Sequence, residues 1–197
     1  MKKVSPRGFT LIELMVSVAI FAVVMVIALG ALLSISAANR KAETIASVMN
    51  NLNFAIESMT RNIRTGVDYH CGSSTGGDCT GGSDLFKFTA ANGLETVYKF
   101  DNSALCQQTS ATVGCIVRST DGGTTYAPIT APEVVITNVS AGTGGLTFYL
   151  RGSSLGSTGD NTQPNVVITV TGYVQTSPTQ TAQFALQTSA TQRLYDR

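Results

Sequence analysis

Residues 9–35 form an apolar run interrupted only by Thr10, Glu13, Ser17 and Ser34, with Gly30 as its one glycine. Wound as a helix, this run spans about 40 Å, more than the roughly 30 Å hydrocarbon core of a bilayer. Over residues 39–64 the pattern changes from continuous to periodic. Ile45, Val48, Leu52, Ile56, Met59 and Ile63 recur at spacings of three and four, the period of one buried helix face. Arg40, Lys41, Glu43, Glu57, Arg61 and Arg64 fall largely on the other side, and Gly66 is a stop signal. No proline lies within residues 9–64, so the apolar and amphipathic halves are expected to form one helix of about 84 Å.

Beyond Gly66 the period shortens. A Gly- and Ser-rich stretch, 71–83, reads as a polar loop, and short alternating runs follow at 85–90 and 94–100, flanking Ala91-Asn92-Gly93 as a hairpin turn. Further runs at 115–119, 134–139, 146–150, 166–174 and 182–188 are separated by Asp121-Gly122-Gly123, by 142–145 and by 152–164. Short strands with no helical pattern between them predict an antiparallel sheet. The expected class is α+β: a lollipop in which a long N-terminal helix, transmembrane in its first half and amphipathic in its second, packs on an antiparallel head. The expected divisions are a basic leader at 1–8, a transmembrane helix at 9–35, an amphipathic helix at 36–65 and a β-rich head at 66–197.

Composition adds a compartment. The 197 residues suffice for one globular domain and an appendage, and the net charge of +1 hides a split. From Val67 onward six basic residues face nine acidic ones, so the head is acidic and lacks the basic footprint of a nucleic-acid binder. All four cysteines, Cys71, Cys79, Cys106 and Cys115, fall in this part, which suits disulfides in an oxidising compartment. Three pairings are open. Neighbour pairing, Cys71 with Cys79 and Cys106 with Cys115, is preferred because each pair brackets a short polar loop. Zinc is disfavoured, since seven and eight residues between partners are not the short knuckle spacing and His70 is the single histidine.

The apolar run itself carries chemistry. Lys2, Lys3 and Arg7 precede it and Arg40 and Lys41 follow it, a slight positive-inside bias toward a cytoplasmic N-terminus. A cleaved secretory signal is the first alternative, with Ser36, Ala37 and Ala38 as small residues at a cleavage site, but an h-region is about 7–15 residues and this run is far longer. A plain anchor is the second, and it leaves Glu13 unexplained. An intramembrane carboxylate costs on the order of 2.5–3.5 kcal/mol on insertion scales, so Glu13 either snorkels toward water or serves a function.

The stretch Arg7-Gly8-Phe9-Thr10-Leu11-Ile12-Glu13-Leu14-Met15-Val16 resembles the signal of type IV prepilins and of the pseudopilins of type II secretion. The resemblance covers about the first 35 residues. It implies that a prepilin peptidase cuts between Gly8 and Phe9 and methylates the new amine of Phe9, and that Glu13 docks one subunit on the next. Its implied partners are that peptidase, other pilin or pseudopilin subunits and the inner-membrane assembly machinery. It further implies a single-pass membrane protein with a cytoplasmic N-terminus, whose extracytoplasmic head enters a pilus or pseudopilus. Many major pilins place a proline where this chain has Gly30, which suits a minor subunit. The closing segment Gln187-Thr188-Ser189-Ala190-Thr191-Gln192-Arg193 is similar to the last strand of J-type minor pseudopilins.

The enzymatic signals in the head are weak, and no catalytic residues, cofactor or metal are expected. Gly72-Ser73-Ser74-Thr75-Gly76 and Gly152-Ser153-Ser154-Leu155-Gly156 match G-x-S-x-G, yet neither precedes a helix pattern nor has a histidine downstream. Asp121, Asp160 and Asn161 offer oxygens to calcium without EF-hand spacing and read as turn formers. The expected function is a structural subunit that polymerises through its N-terminal helix. The competing reading is a bitopic anchor whose head binds a ligand or surface.

Overall fold

The computed structural model describes residues 8–72, 77–106, 113–137, 145–153, 162–177 and 180–193. It divides into two compact units, Met1–Thr44 and Ile45–Arg197. One helix, α1 (Leu11–Thr65), runs through the boundary without a break, and ten strands follow it among the described residues. The α+β class and the uninterrupted helix agree with the periodicity.

In the first unit α1 is apolar and exposed: Leu11, Ile12, Leu14, Phe21, Val26 and Leu33 all stand open. Thr10 caps this helix, its Oγ1 accepting from the backbone N–H of Glu13 at 3.4 Å, and the N–H of Leu14 makes the first helical bond to Thr10 O at 3.2 Å.

In the second unit α1 buries Val48, Leu52, Ala55, Met59 and Ile63, while Ile45 and Ile56 are only half-buried. The stripe was expected to pass through Ile56. At 100° per residue, however, the five buried positions centre so that Ala55 lies about 40° from the midline and Ile56 about 60° away on the other side. The helix stops as expected at Gly66, for a reason of packing rather than backbone hand. A Cβ on Gly66 would lie 2.3 Å from Phe88 Cδ2. The carbonyl of Ile63 at this end accepts from Gly66 N–H at 2.9 Å and from the Tyr69 hydroxyl at 2.5 Å, so an orphan helix-terminal acceptor is satisfied twice.

The strands are β1 (Val67–Cys71), β2 (Cys79–Ser83), β3 (Leu85–Thr89), β4 (Glu95–Asp101), β5 (Val113–Ser119), β6 (Ala127–Pro128), β7 (Val134–Thr137), β8 (Leu146–Arg151), β9 (Asn165–Ser177) and β10 (Gln180–Thr191). They form one antiparallel sheet in the order β1-β3-β4-β5-β7-β9-β8-β2, with β6 paired to β5 and β10 to β9. One edge of β9 is shared, β8 taking Asn165 to Val170 and β7 taking Gly172 to Val174, and β10 runs along the other edge.

The hairpin turn formed as read. Ala90 and Leu94 close it, and Gly93 supplies the positive φ of 80°. The loop reading of 71–83 needs correction, because 79–83 is strand β2 and β1 ends at Cys71. β2 has no apolar alternation of its own and is held by β8, through Cys79↔Leu150 and Ser83↔Phe148. The two-residue β6 was not expected either.

Alternate residues of the strands meet the α1 stripe in one core. Its aromatic centre includes Phe86 stacked on Phe148 at 5.3 Å and edge-on to Tyr69 at 5.4 Å.

Candidate functional site

Gly8, Phe9 and Thr10 lie just ahead of α1, and Phe9 is 82% exposed. Four residues on, Glu13 sits in the first helical turn, also exposed, and Ser17 donates its hydroxyl to the Glu13 carbonyl at 2.7 Å. Thr10 and Glu13 together read S/T-x-x-E, the signature of a capping box. This local role was not read from the sequence, although the spacing carries it. A carboxylate here also meets the positive end of the helix dipole.

From Glu13 to Ile35 the helix offers no further acid or base, and none of its most apolar window is buried within the chain's own structure. It is long and apolar enough to cross a membrane. The segment thus joins a small residue, an exposed aromatic, an exposed acid and an unburied apolar helix. Lys2, Lys3 and Arg7 lie outside the described residues.

In the head the cysteines pair as preferred. Cys71 is bonded to Cys79 with Cα atoms 6.1 Å apart, and Cys106 to Cys115 at 5.6 Å. The first link ties together β1 and β2, the two ends of the sheet's strand path. The second ties the segment after β4 to β5.

The remaining candidates take structural positions. Ser153 donates from both its backbone N–H and its hydroxyl to Asp78 Oδ1, each at 3.0 Å. Burial pushes the Asp78 carboxyl up, but the bonds from Ser153 and Gly152 and the charge of Arg151 outweigh it and leave it below the usual carboxylate range. The other members of the second G-x-S-x-G match, and residues 73–76 of the first, lie outside the described residues. Asp160 and Asn161 do as well. Asp121 is a turn former: its carboxylate accepts from Ser119 Oγ at 2.6 Å, from Thr124 N–H at 3.1 Å and from Thr125, which lowers its pKa. His70 Nε2 stands 3.4 Å from Asp68, itself at a φ of 60° in a register break of β1.

Residues 5–29 match the family of the prokaryotic N-terminal methylation motif. No curated protein matches the chain. No solved structure matches it either. The match falls on Gly8, Phe9 and Glu13 and on the apolar, unburied part of α1, the features from which the prepilin resemblance was drawn. The methylation motif at residues 5–29, together with the apolar N-terminal helix that carries it, indicates a type IV prepilin-like protein.

Proposed function

We propose that the chain is a filament subunit, a minor pilin or pseudopilin, that is cut between Gly8 and Phe9, methylated on Phe9 and polymerised through α1. The observation that carries this reading is the coincidence of the methylation motif at 5–29 with a helix whose most apolar window is unburied among the described residues. An exposed apolar surface of this extent needs lipid or other helices against it, and a filament core of like helices supplies the second once the subunit leaves the first. Such subunits are generally structural. Their partners are a prepilin peptidase, further pilin-type subunits and inner-membrane assembly machinery. The N-terminus faces the cytoplasm before cleavage and the head lies outside it, where the two disulfides persist.

Intact-mass analysis of the protein from its own host, in membrane and sheared-filament fractions, tests the proposal. The expected mass is that of a chain beginning at methylated Phe9, present in both fractions. A chain beginning near Ala38, or one never found with filaments, overturns it. The latter outcome favours the membrane-anchored binding head.

A further inference from the structure

Among the described residues β10 hydrogen-bonds along one edge only, to β9, in continuous register from Thr181↔Gln175 to Thr191↔Asn165. An antiparallel strand turns the N–H and C=O of alternate residues toward its far edge. Sheets guard such edges with charge, proline, bulges or shortness. Gln180–Thr191 has 12 residues, no charged residue and no proline, and its one register irregularity is at Gln180. The ends of the strand path are different: β1 and β2 have 5 residues each, both carry register breaks, and a disulfide joins them.

A groove adjoins β10. A cavity of about 510 Å³ lies along the last turns of α1, with Ile56 in its wall and Thr188 of β10 and Arg193 beyond it also lining it, and no β9 residue among its described lining. On the inward face of β10, Phe184 and Leu186 are only half-buried. The groove is basic at one end. Arg193 N–H donates to the carbonyl of Arg64 at 2.9 Å, which brings both arginines to the same place, and Arg61 is engaged by Glu57 at 2.9 Å. Among the described residues neither Arg64 nor Arg193 has a carboxylate partner.

We propose that the far edge of β10 is a strand-addition site for an extended acidic segment of a partner protein. The partner's backbone bonds to the N–H and C=O groups that β10 turns to its far edge, its apolar side chains cover Phe184, Leu186 and Ile56, and its carboxylates meet Arg64 and Arg193. Backbone bonding supplies affinity and the charged end sets direction and register. The site operates whether or not α1 polymerises, so it does not depend on the filament reading.

The full chain in detergent micelles is titrated into a fluorescein-labelled peptide as long as β10, with alternating Thr and Val and two terminal Glu. Three companions accompany it: the same peptide with Lys for Glu, and the Glu peptide methylated on alternate amide nitrogens in each of the two registers. Saturable binding of the Glu peptide is expected, with the Lys peptide and at least one methylated register weaker by about tenfold or more, the change that ~1.4 kcal/mol represents. Arg64→Glu with Arg193→Glu should reverse the charge preference, and if that variant does not fold the peptide series decides alone. Equal binding of the methylated peptides removes strand addition. Equal binding of the Lys peptide removes the acidic occupant, and no binding at all removes the site. Displacement of the peptide by self-association of the chain identifies a second copy as the occupant and overturns the partner proposed.

Discussion

In the first turn of α1, Glu13 has a local function that needs no second molecule: it stands three residues after Thr10, at the positive end of the helix dipole. Favourable dipole placement contributes about 0.3–1 kcal/mol at an exposed site. This is less than the roughly 2.5–3.5 kcal/mol cost of an acid held in lipid. An amine on Phe9 of a neighbouring subunit would close the gap, because opposite charges about 4 Å apart attract by roughly 4 kcal/mol at an effective dielectric near 20, before desolvation. Glu13→Ala and Glu13→Val are therefore expected to be processed and inserted normally, yet to fall at least about tenfold in the ratio of filament to membrane protein. Normal incorporation of both would leave Glu13 as a helix-dipole residue only. A second residue-scale expectation concerns acid. Burial raises the Asp101 carboxyl, but Ser103 and Lys99, the latter at 3.1 Å, outweigh burial and hold its pKa below the ordinary 3.8. A depressed native pKa contributes stability that is present above the unfolded value and lost as pH falls through the native one. Urea midpoints measured downward from about pH 5 should decline for the native chain, and Asp101→Asn should reduce that slope; an unchanged slope would exclude Asp101 as a source. The Thr10 cap was readable as a four-residue motif. The partner of Asp78 was not, since Asp78 and Ser153 are 75 residues apart.

At the scale of the element, α1 was the most legible part, because a 3.6-residue period repeated over many turns leaves little choice of structure. The β3–β4 hairpin was legible for a similar reason, its Asn92-Gly93 turn lying between two alternating runs. β2 was not, because Cys79–Ser83 reads CTGGS, and what makes it a strand lies on β8. Gly82 shows this dependence: its φ is 84°, and a Cβ there would come within 2.6 Å of Thr147 Cγ2. The helix passes through Gly30 without interruption, and a Cβ at that position meets nothing within 4 Å. Gly30→Ala should thus be accommodated and should stabilise the helix locally by about 1 kcal/mol. Amide exchange around residue 30 in micelles is expected to slow accordingly. Exchange that is unchanged or faster would mean that the glycine does not soften this part of α1.

For the whole molecule, the division between an apolar, unburied first unit and a head with its own core was written into composition, with hydrophobic residues early and Gly, Ser and Thr late. The order of strands was not. Periodicity reports how one segment presents its faces, whereas strand order depends on which segments finally meet, and β2 ends up against β8, with Cys79 opposite Leu150. That pairing has a consequence in time. As the chain is synthesised, Cys79–Ser83 is complete long before Leu146–Arg151 exists, and a contact so distant in sequence closes late and slowly. During that interval the bridge to Cys71, only 8 residues back, is the one covalent restraint available to keep the orphaned strand beside β1. The timing of oxidation relative to chain growth thereby bears on whether this sequence-distant seam of the sheet closes on a waiting edge or must first retrieve a wandering one.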